Sequence, residues 1–204
     1  LDQSTKIVRH LHIPLQSGSN TVLQRMRRKY SAEYYAEKIA KIKQALPGLA
    51  ITSDIIVGFP GETEVEFMET YEFVQKIGYA ELHVFPYSPR TGTPAARMPN
   101  QVAKEVKEAR VEKMIELSNK LAQAYAEKYV GDVLEVIPEE TSENNPNHLV
   151  GYSDNYLKIE FEGSGTLIGS IVRVKLIEAS YPLHKGVLVK VVDSLTREQI
   201  AANE

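Results

Sequence analysis

The 204-residue chain contains no cysteine. That excludes a disulfide framework, a thiolate zinc site and any iron–sulfur ligation by these residues. No secretory signal pattern occurs, and no apolar run is long enough to cross a bilayer, so the sequence reads as cytoplasmic with no membrane partner. Nor does charge of either sign dominate. The net charge is −3, without the basic excess that by itself announces a nucleic-acid binder. The small imbalance is nevertheless sorted along the chain: residues 1–128 hold 18 Lys+Arg against 15 Asp+Glu, and residues 129–194 hold 5 against 10.

What is present is a 43% hydrophobic composition, enough for one or two packed cores. The organising stretch is Ile51-Thr-Ser-Asp-Ile-Ile-Val57, an apolar, β-branched run of strand length that stops at Gly58-Phe-Pro-Gly61. Thr63 followed by Glu66 makes a capping box and predicts a helix to about Ile77. A strand, a glycine turn and a helix are where α/β proteins bind ligands, because backbone amides are exposed at the strand's C-terminal end. The spacing is neither Gly-x-Gly-x-x-Gly nor a Gly-Lys-Ser/Thr loop, so nucleotide phosphate is not indicated. The loop is either a ligand loop or a well-made turn.

Before this stretch, Ile7–Leu15 predicts a strand with Leu11 and Ile13 on one face and His10 and His12 on the other. A short helix from Thr21 to about Arg28 follows, then one from Ser31 to Leu46, stopped by Pro47-Gly48. The first ends in Arg25, Arg27, Arg28 and Lys29, either a solvated helix end or a set of anion ligands. After it come a third strand, Ala80–Tyr87, a Pro/Gly-rich loop Ser88–Pro94 and a helix from Gln101 to Lys128, with Val111, Met114, Ile115, Ser118, Leu121, Ala122 and Tyr125 facing inward. Three strand–helix units predict an α/β fold with a parallel sheet. Three strands leave both edges open, so the sheet reads as part of a larger barrel, cut within a domain.

From Tyr129 the pattern changes to five short strand candidates: Asp132–Pro138, His148–Tyr152, Tyr156–Phe161, Ile171–Glu178 and Gly186–Val192. Leu157, Ile159 and Phe161 alternate inward. Five strands in so short a span predict a small all-β barrel of the oligonucleotide-binding type. The expected domains are 1–128, 129–194 and a tail, 195–204. His10, His12, Asp54 and His83 fall on neighbouring strands, either as a metal set or as polar groups lining a lumen.

Four stretches together carry a resemblance: His12-Ile-Pro-Leu-Gln-Ser-Gly-Ser19, Met26-Arg-Arg-Lys-Tyr30, Thr52-Ser-Asp-Ile-Ile-Val-Gly-Phe-Pro-Gly-Glu-Thr63 and Tyr87-Ser-Pro-Arg-Thr-Gly-Thr-Pro94. In order and spacing they resemble the radical S-adenosylmethionine methylthiotransferases, and the terminal barrel resembles their TRAM domain. Val84-Phe-Pro-Tyr-Ser-Pro89 after Leu82-His83 is most similar to the enzymes acting on threonylcarbamoyladenosine in tRNA. Those acting on isopentenyladenosine or on a ribosomal protein are the alternatives, and a stand-alone RNA-binding module is a reading of a different class.

The resemblance implies a half radical-SAM, TIM-like barrel followed by an OB-like TRAM barrel. It implies an enzyme using S-adenosylmethionine and two [4Fe-4S] clusters to methylthiolate a modified adenosine next to the anticodon of tRNA. The cluster cysteines are expected in an N-terminal half upstream of Leu1, a partner within the same polypeptide, so this stretch alone is expected to be inactive and to contain no catalytic residue. By position, Gln16 and Ser17 are expected near the ribose of S-adenosylmethionine, Arg28 at its carboxylate, and Val57, Gly58 and Phe59 along its adenine. Tyr87, Ser88 and Arg90 are expected at the substrate entrance. Arg173, Lys175 and Tyr156 are the expected RNA contacts, cations for phosphate and a ring for stacking. No metal ligand is expected within these residues.

Overall fold

A continuous β-branched run suits a strand buried on both faces. Ala50–Val57 (β2) is that strand, the middle of a three-stranded sheet in the order β1-β2-β3, with β1 at His10–His12 and β3 at Glu81–Pro86. The computed structural model describes residues 8–193. They fall into two compact units, one comprising Leu11–Ala122 and the other running from Gln123 onward and including the stretch that ends at His10. Ile7 and the expected tail 195–204 lie outside the described residues.

In the first unit β2 and β3 are parallel, in register from Thr52 opposite Glu81 to Val57 opposite Pro86. The strand expected over Ile7–Leu15 is regular only at β1. Pro14 has no amide to donate, and pairing resumes at Gln16, which bridges Ile55. Helix α1 spans Asn20–Arg25 and ends three residues earlier than expected. Its end is a Schellman turn: Arg27 takes φ 58°, its amide bonds Gln24 O at 2.9 Å, and the Arg28 amide bonds Leu23 O at 2.9 Å. Glycine is the usual residue at that position, and a side chain there costs on the order of 1 kcal/mol.

Helix α2 (Ala32–Ala45) starts at Ser31, whose hydroxyl accepts the Tyr34 amide. Helix α3 (Glu64–Ile77) has the expected capping box between Thr63 and Glu66 and ends at Gly78 in the left-handed region. Helix α4 (Lys104–Glu127) begins three residues later than expected. The Gln101 side chain instead donates from Nε2 to the carbonyls of Ala95, in the 3-10 turn Pro94–Arg97, and of Met98 just after it. On α4, Met114 and Leu117 are buried, whereas Ile115, expected inward, is 43% exposed. It lies about 100° around the helix from Met114, at the edge of the apolar stripe. Leu15, Ile39, Ile51, Ile55, Phe67 and Met114 share the core. Two backbone acceptors beside it are satisfied by phenols, Tyr35 to Ile13 O and Tyr30 to Leu15 O.

The second unit contains five strands: β4 (Val133–Thr141), β5 (His148–Ser153), β6 (Lys158–Glu162), β7 (Ile171–Glu178) and β8 (His184–Asp193). They close in the order β4-β5-β6-β8-β7, with β6 and β8 parallel and the other neighbours antiparallel. The alternation does what it promised: Leu157, Ile159 and Phe161 are 3%, 0% and 1% exposed, packed with Val136, Val172 and Leu176. Strand β6 starts two residues later than expected because Tyr156, at φ 68°, belongs to the preceding turn. At Gly151 a Cβ would lie 2.1 Å from the Ile137 carbonyl oxygen, beside a bulge in β4, so glycine is required by backbone contact there.

Candidate cofactor and substrate site

The C-terminal ends of β2 and β3, with the segment from Gln16 to Arg28, surround two adjoining cavities of the first unit. The larger, of about 510 Å³, is bordered by Gln16, Asp54, Ile56, Tyr87, Ser88 and Arg90. The smaller, of about 210 Å³, is bordered by Arg25, Arg27, Arg28 and Phe59, and shares Ile56, Tyr87 and Thr93 with the first.

Gln16 is held at φ 72° by bonding both ways with β2: its amide donates to Asp54 O at 2.8 Å and its carbonyl accepts the Ile56 amide at 2.9 Å. That left-handed backbone is unusual for a non-glycine residue and concentrates at binding sites. The Gln16 side-chain oxygen accepts from Arg28 Nη2 at 3.0 Å, so two residues expected to share a ligand are in contact. Phe59 packs edge-on to Tyr87, ring centres 5.2 Å apart. The Tyr87 hydroxyl is buried with no hydrogen-bond partner among the described residues. Ser88 and Arg90 stand exposed on the rim.

Ser17, expected alongside Gln16, points elsewhere. It is fully buried, its hydroxyl paired with Thr70 Oγ1 at 3.0 Å and accepting the Ser19 amide at 3.2 Å. Val57 is also fully buried, as the last residue of β2. Gly58 has φ 73° and lies so close to Lys107 that a Cβ would be 2.2 Å from its Cγ.

The residues that hold this loop escaped sequence reasoning. Glu62, 1% exposed at its side chain, accepts the Gly58 amide and the Arg110 guanidinium at 2.8 Å, and Arg110, 7% exposed, also bonds Glu62 O at 3.2 Å and Glu64 at 3.2 Å. Burial pushes the Glu62 carboxyl up, while the Gly58 amide and Arg110 pull it back. Lys107 donates to Tyr87 O at 3.1 Å. Helix α4 thus fastens the loops after β2 and after β3. A usable signal existed: Arg110 lies four residues before Met114, on the face that the apolar spacing sends inward.

A second ion pair fixes the helix that carries the arginines. Arg25 grips Glu66 with two bonds of 2.8 Å, and Thr21 adds a third at 2.6 Å. These bonds, led by Arg25, hold the Glu66 carboxyl down at about 2.

Of the strand histidines, His12 is placed by hydrogen bonding. His12 Nε2 is 3.3 Å from Asp54 Oδ1, its Nδ1 is 2.9 Å from Thr52 Oγ1, and the His83 ring is 5.5 Å away. Among the described residues no group of three or more potential ligands is placed to hold a metal ion.

In the second unit Arg173 and Lys175 both face outward on β7. Arg173 lies between Glu135 and Lys190 and is 3.3 Å from Glu135, which takes part of its charge; Lys175 lies between Val133 and Val187. Tyr156 is half-buried, its ring stacked on Tyr152 with centres 5.3 Å apart.

The profile of the radical SAM superfamily matches residues 2–74, and that of the TRAM domain matches residues 127–182. In sequence the first unit is thus similar to the radical SAM superfamily, and the second to the TRAM domain. Over 98% of its length it is 57% identical to the threonylcarbamoyladenosine tRNA methylthiotransferase MtaB of Bacillus subtilis, covering 45% of that protein. Over 93% of its length it is 42% identical to a tRNA-2-methylthio-N(6)-dimethylallyladenosine synthase of Bacillus mycoides and 43% identical to one of Bacillus cereus, covering 37% of each. The chain therefore spans less than half the length of the curated relatives it matches. Among solved structures, coproporphyrinogen III oxidase of Escherichia coli aligns over 82% of this chain and 41% of its own, at 14% identity and a TM-score of 0.49. No helix among the described residues is long and apolar enough to cross a membrane.

The match to the superfamily implies S-adenosylmethionine and a [4Fe-4S] cluster. The radical SAM unit fits the first: an arginine fork for a carboxylate, a glutamine amide for hydroxyls, an aromatic ring and an unpartnered phenol meet at one place. It does not fit the second, since cluster ligation needs thiolates and the chain has none.

Proposed function

We propose that the whole protein, of which this chain is the radical SAM–TRAM part, methylthiolates threonylcarbamoyladenosine in tRNA. The observation that carries the reading is the 57% identity to an enzyme of that name, against 42–43% to enzymes named for the dimethylallyl substrate. In this reading S-adenosylmethionine and two [4Fe-4S] clusters supply the radical chemistry, the cluster cysteines coming from an N-terminal half of the same polypeptide. The protein is cytoplasmic, and these residues alone are inactive.

Within the chain, residues 1–128 are the barrel part, 129–194 the TRAM domain and 195–204 a tail. Arg28 and Gln16 receive the carboxylate and ribose of S-adenosylmethionine, and Val57, Gly58 and Phe59 line its adenine through backbone and ring. Ser17 serves as a support, holding the Gln16 turn to Thr70. Tyr87, Ser88 and Arg90 border the path of the adenosine, and Arg173, Lys175 and Tyr156 touch RNA.

The test is a gene deletion followed by mass analysis of tRNA nucleosides. The expected result is loss of the methylthio group from threonylcarbamoyladenosine, restored by the intact gene. Persistence of that group with loss from dimethylallyladenosine would transfer the assignment to the other substrate. Loss from neither would leave the RNA-binding module as the better reading.

A further inference from the structure

Three arginines border the smaller cavity, and they are not equivalent. Arg25 is neutralised by the two-bonded Glu66, and Arg28 is engaged with Gln16. Arg27 is exposed, and among the described residues its guanidinium has neither an ion pair nor a hydrogen bond. Its backbone is the left-handed residue of the turn that ends α1, a conformation glycine would hold without strain. The chain thus keeps a long cation, on a residue that borders a cavity, in a backbone position that favours glycine. The cavity is otherwise apolar, with Met26, Ile56, Phe59 and Met98 around it, and it opens beside Tyr87 and Thr93 onto the larger cavity.

We propose that Arg27 binds the carboxylate of the threonylcarbamoyl side chain and so sets which modified adenosine the protein accepts. The inference rests on the substrate reading above. The threonylcarbamoyl group is a short branched chain ending in a carboxylate, which suits the opening where the two cavities share Tyr87 and Thr93 and Arg27 borders the smaller one, while Arg28 and Phe59 are left to S-adenosylmethionine. A dimethylallyl group is uncharged hydrocarbon and would leave Arg27 without its partner. A site built around one charged contact discriminates more steeply than an apolar pocket can, because the analogue leaves a polar group unpaired. Arg28 stays with S-adenosylmethionine, so two carboxylates meet two different arginines.

An RNA phosphate would present similar chemistry to the same guanidinium, and the experiment separates the two sources. Full-length protein and its Arg27→Gly variant are compared on anticodon hairpins of one sequence bearing threonylcarbamoyladenosine, its methyl ester, or dimethylallyladenosine. KM and kcat are measured separately, with hairpin affinity from fluorescence anisotropy at fixed salt and melting temperature beside them. For Arg27→Gly the expected result is a KM and Kd for the carboxylate hairpin raised about tenfold or more, as loss of a charge-assisted contact does. Values for the ester are unchanged, and the melting temperature is unchanged or higher because glycine relieves the left-handed strain. Equal weakening on all three hairpins identifies a phosphate contact and overturns the proposal, as does an unchanged KM on the carboxylate hairpin. Wild-type protein inactive on the threonylcarbamoyl hairpin but active on the dimethylallyl one overturns the substrate reading itself, a failure visible without the variant.

Discussion

In the radical SAM unit a buried arginine and a buried glutamate hold the loop beside the cavities, and residues with left-handed backbones, Gln16 and Arg27, border them. In the TRAM barrel the hydrophobic core is mostly leucine, isoleucine, valine and phenylalanine, with His184 and Asn155 buried as well, and the sheet closes on itself. The first unit keeps charge and strain where ligands are proposed to bind; the second satisfies its backbone by closure and its side chains by burial. Substitutions that remove charge should therefore damage the first, and substitutions that change volume the second.

The largest expected effect is on the first unit. Arg110→Ala leaves Glu62 buried and unpaired, which costs about 3–5 kcal/mol, read from chemical denaturation and from faster hydrogen exchange of the Gly58 amide. Replacing both partners by apolar residues, Arg110→Met with Glu62→Leu, should recover most of that stability, since such exchanges of a buried pair are often neutral. Affinity for S-adenosylmethionine should not recover, because the Gly58 amide has lost its acceptor. Recovery of both would mean that the pair contributes packing only.

Next comes the barrel. Gly151→Ala pushes a methyl group into the Ile137 carbonyl, and overpacking of this kind costs about 1–3 kcal/mol, with exchange accelerated in β4 and β5 and unaffected in α3. A smaller effect, about 1 kcal/mol, is expected for Thr63→Ala, which removes the cap of α3 while Glu66 keeps Arg25.

Mild acid should separate the units with the least perturbation. His184 is buried and its Nδ1 accepts the Ser180 amide, so burial holds its pKa below the ordinary 6.5. The unfolded chain binds that proton first, so stability from His184 is complete above pH 6.5 and falls as pH drops below it. Glu66, held at about 2, contributes stability that is complete above the ordinary 4.5 and is lost between there and 2. The TRAM barrel should weaken first on acidification, and His184→Phe should move its onset lower; simultaneous weakening of the two units would break the comparison.

Local rules made much of this molecule legible. The capping box at Thr63, the alternation of Leu157, Ile159 and Phe161, and the glycine turn after β2 depend on neighbours within a few residues, and all three are present as read. The site was legible only where its residues share that locality. Gln16 and Arg28 were singled out separately, but their contact depends on the Schellman turn at Arg27, which has no glycine to announce it. Ser17 looked equivalent to Gln16 in sequence and is not, because Thr70 from α3 claims its hydroxyl. Arg110 stayed hidden because a charge on a long helix normally faces water, and only the distant Glu62 makes it an interior residue.

Lys107 and Arg110 are one turn apart on α4, and the first fastens the loop after β3 while the second fastens the loop after β2. Two walls that belong to different strands are hung from a single turn of helix, so neither shifts without loading the other. Any molecule that draws one wall inward does part of the work of positioning the other. Ligands meeting these two walls would then favour each other's arrival, and by thermodynamic reciprocity the order in which they arrive would not change the size of the gain.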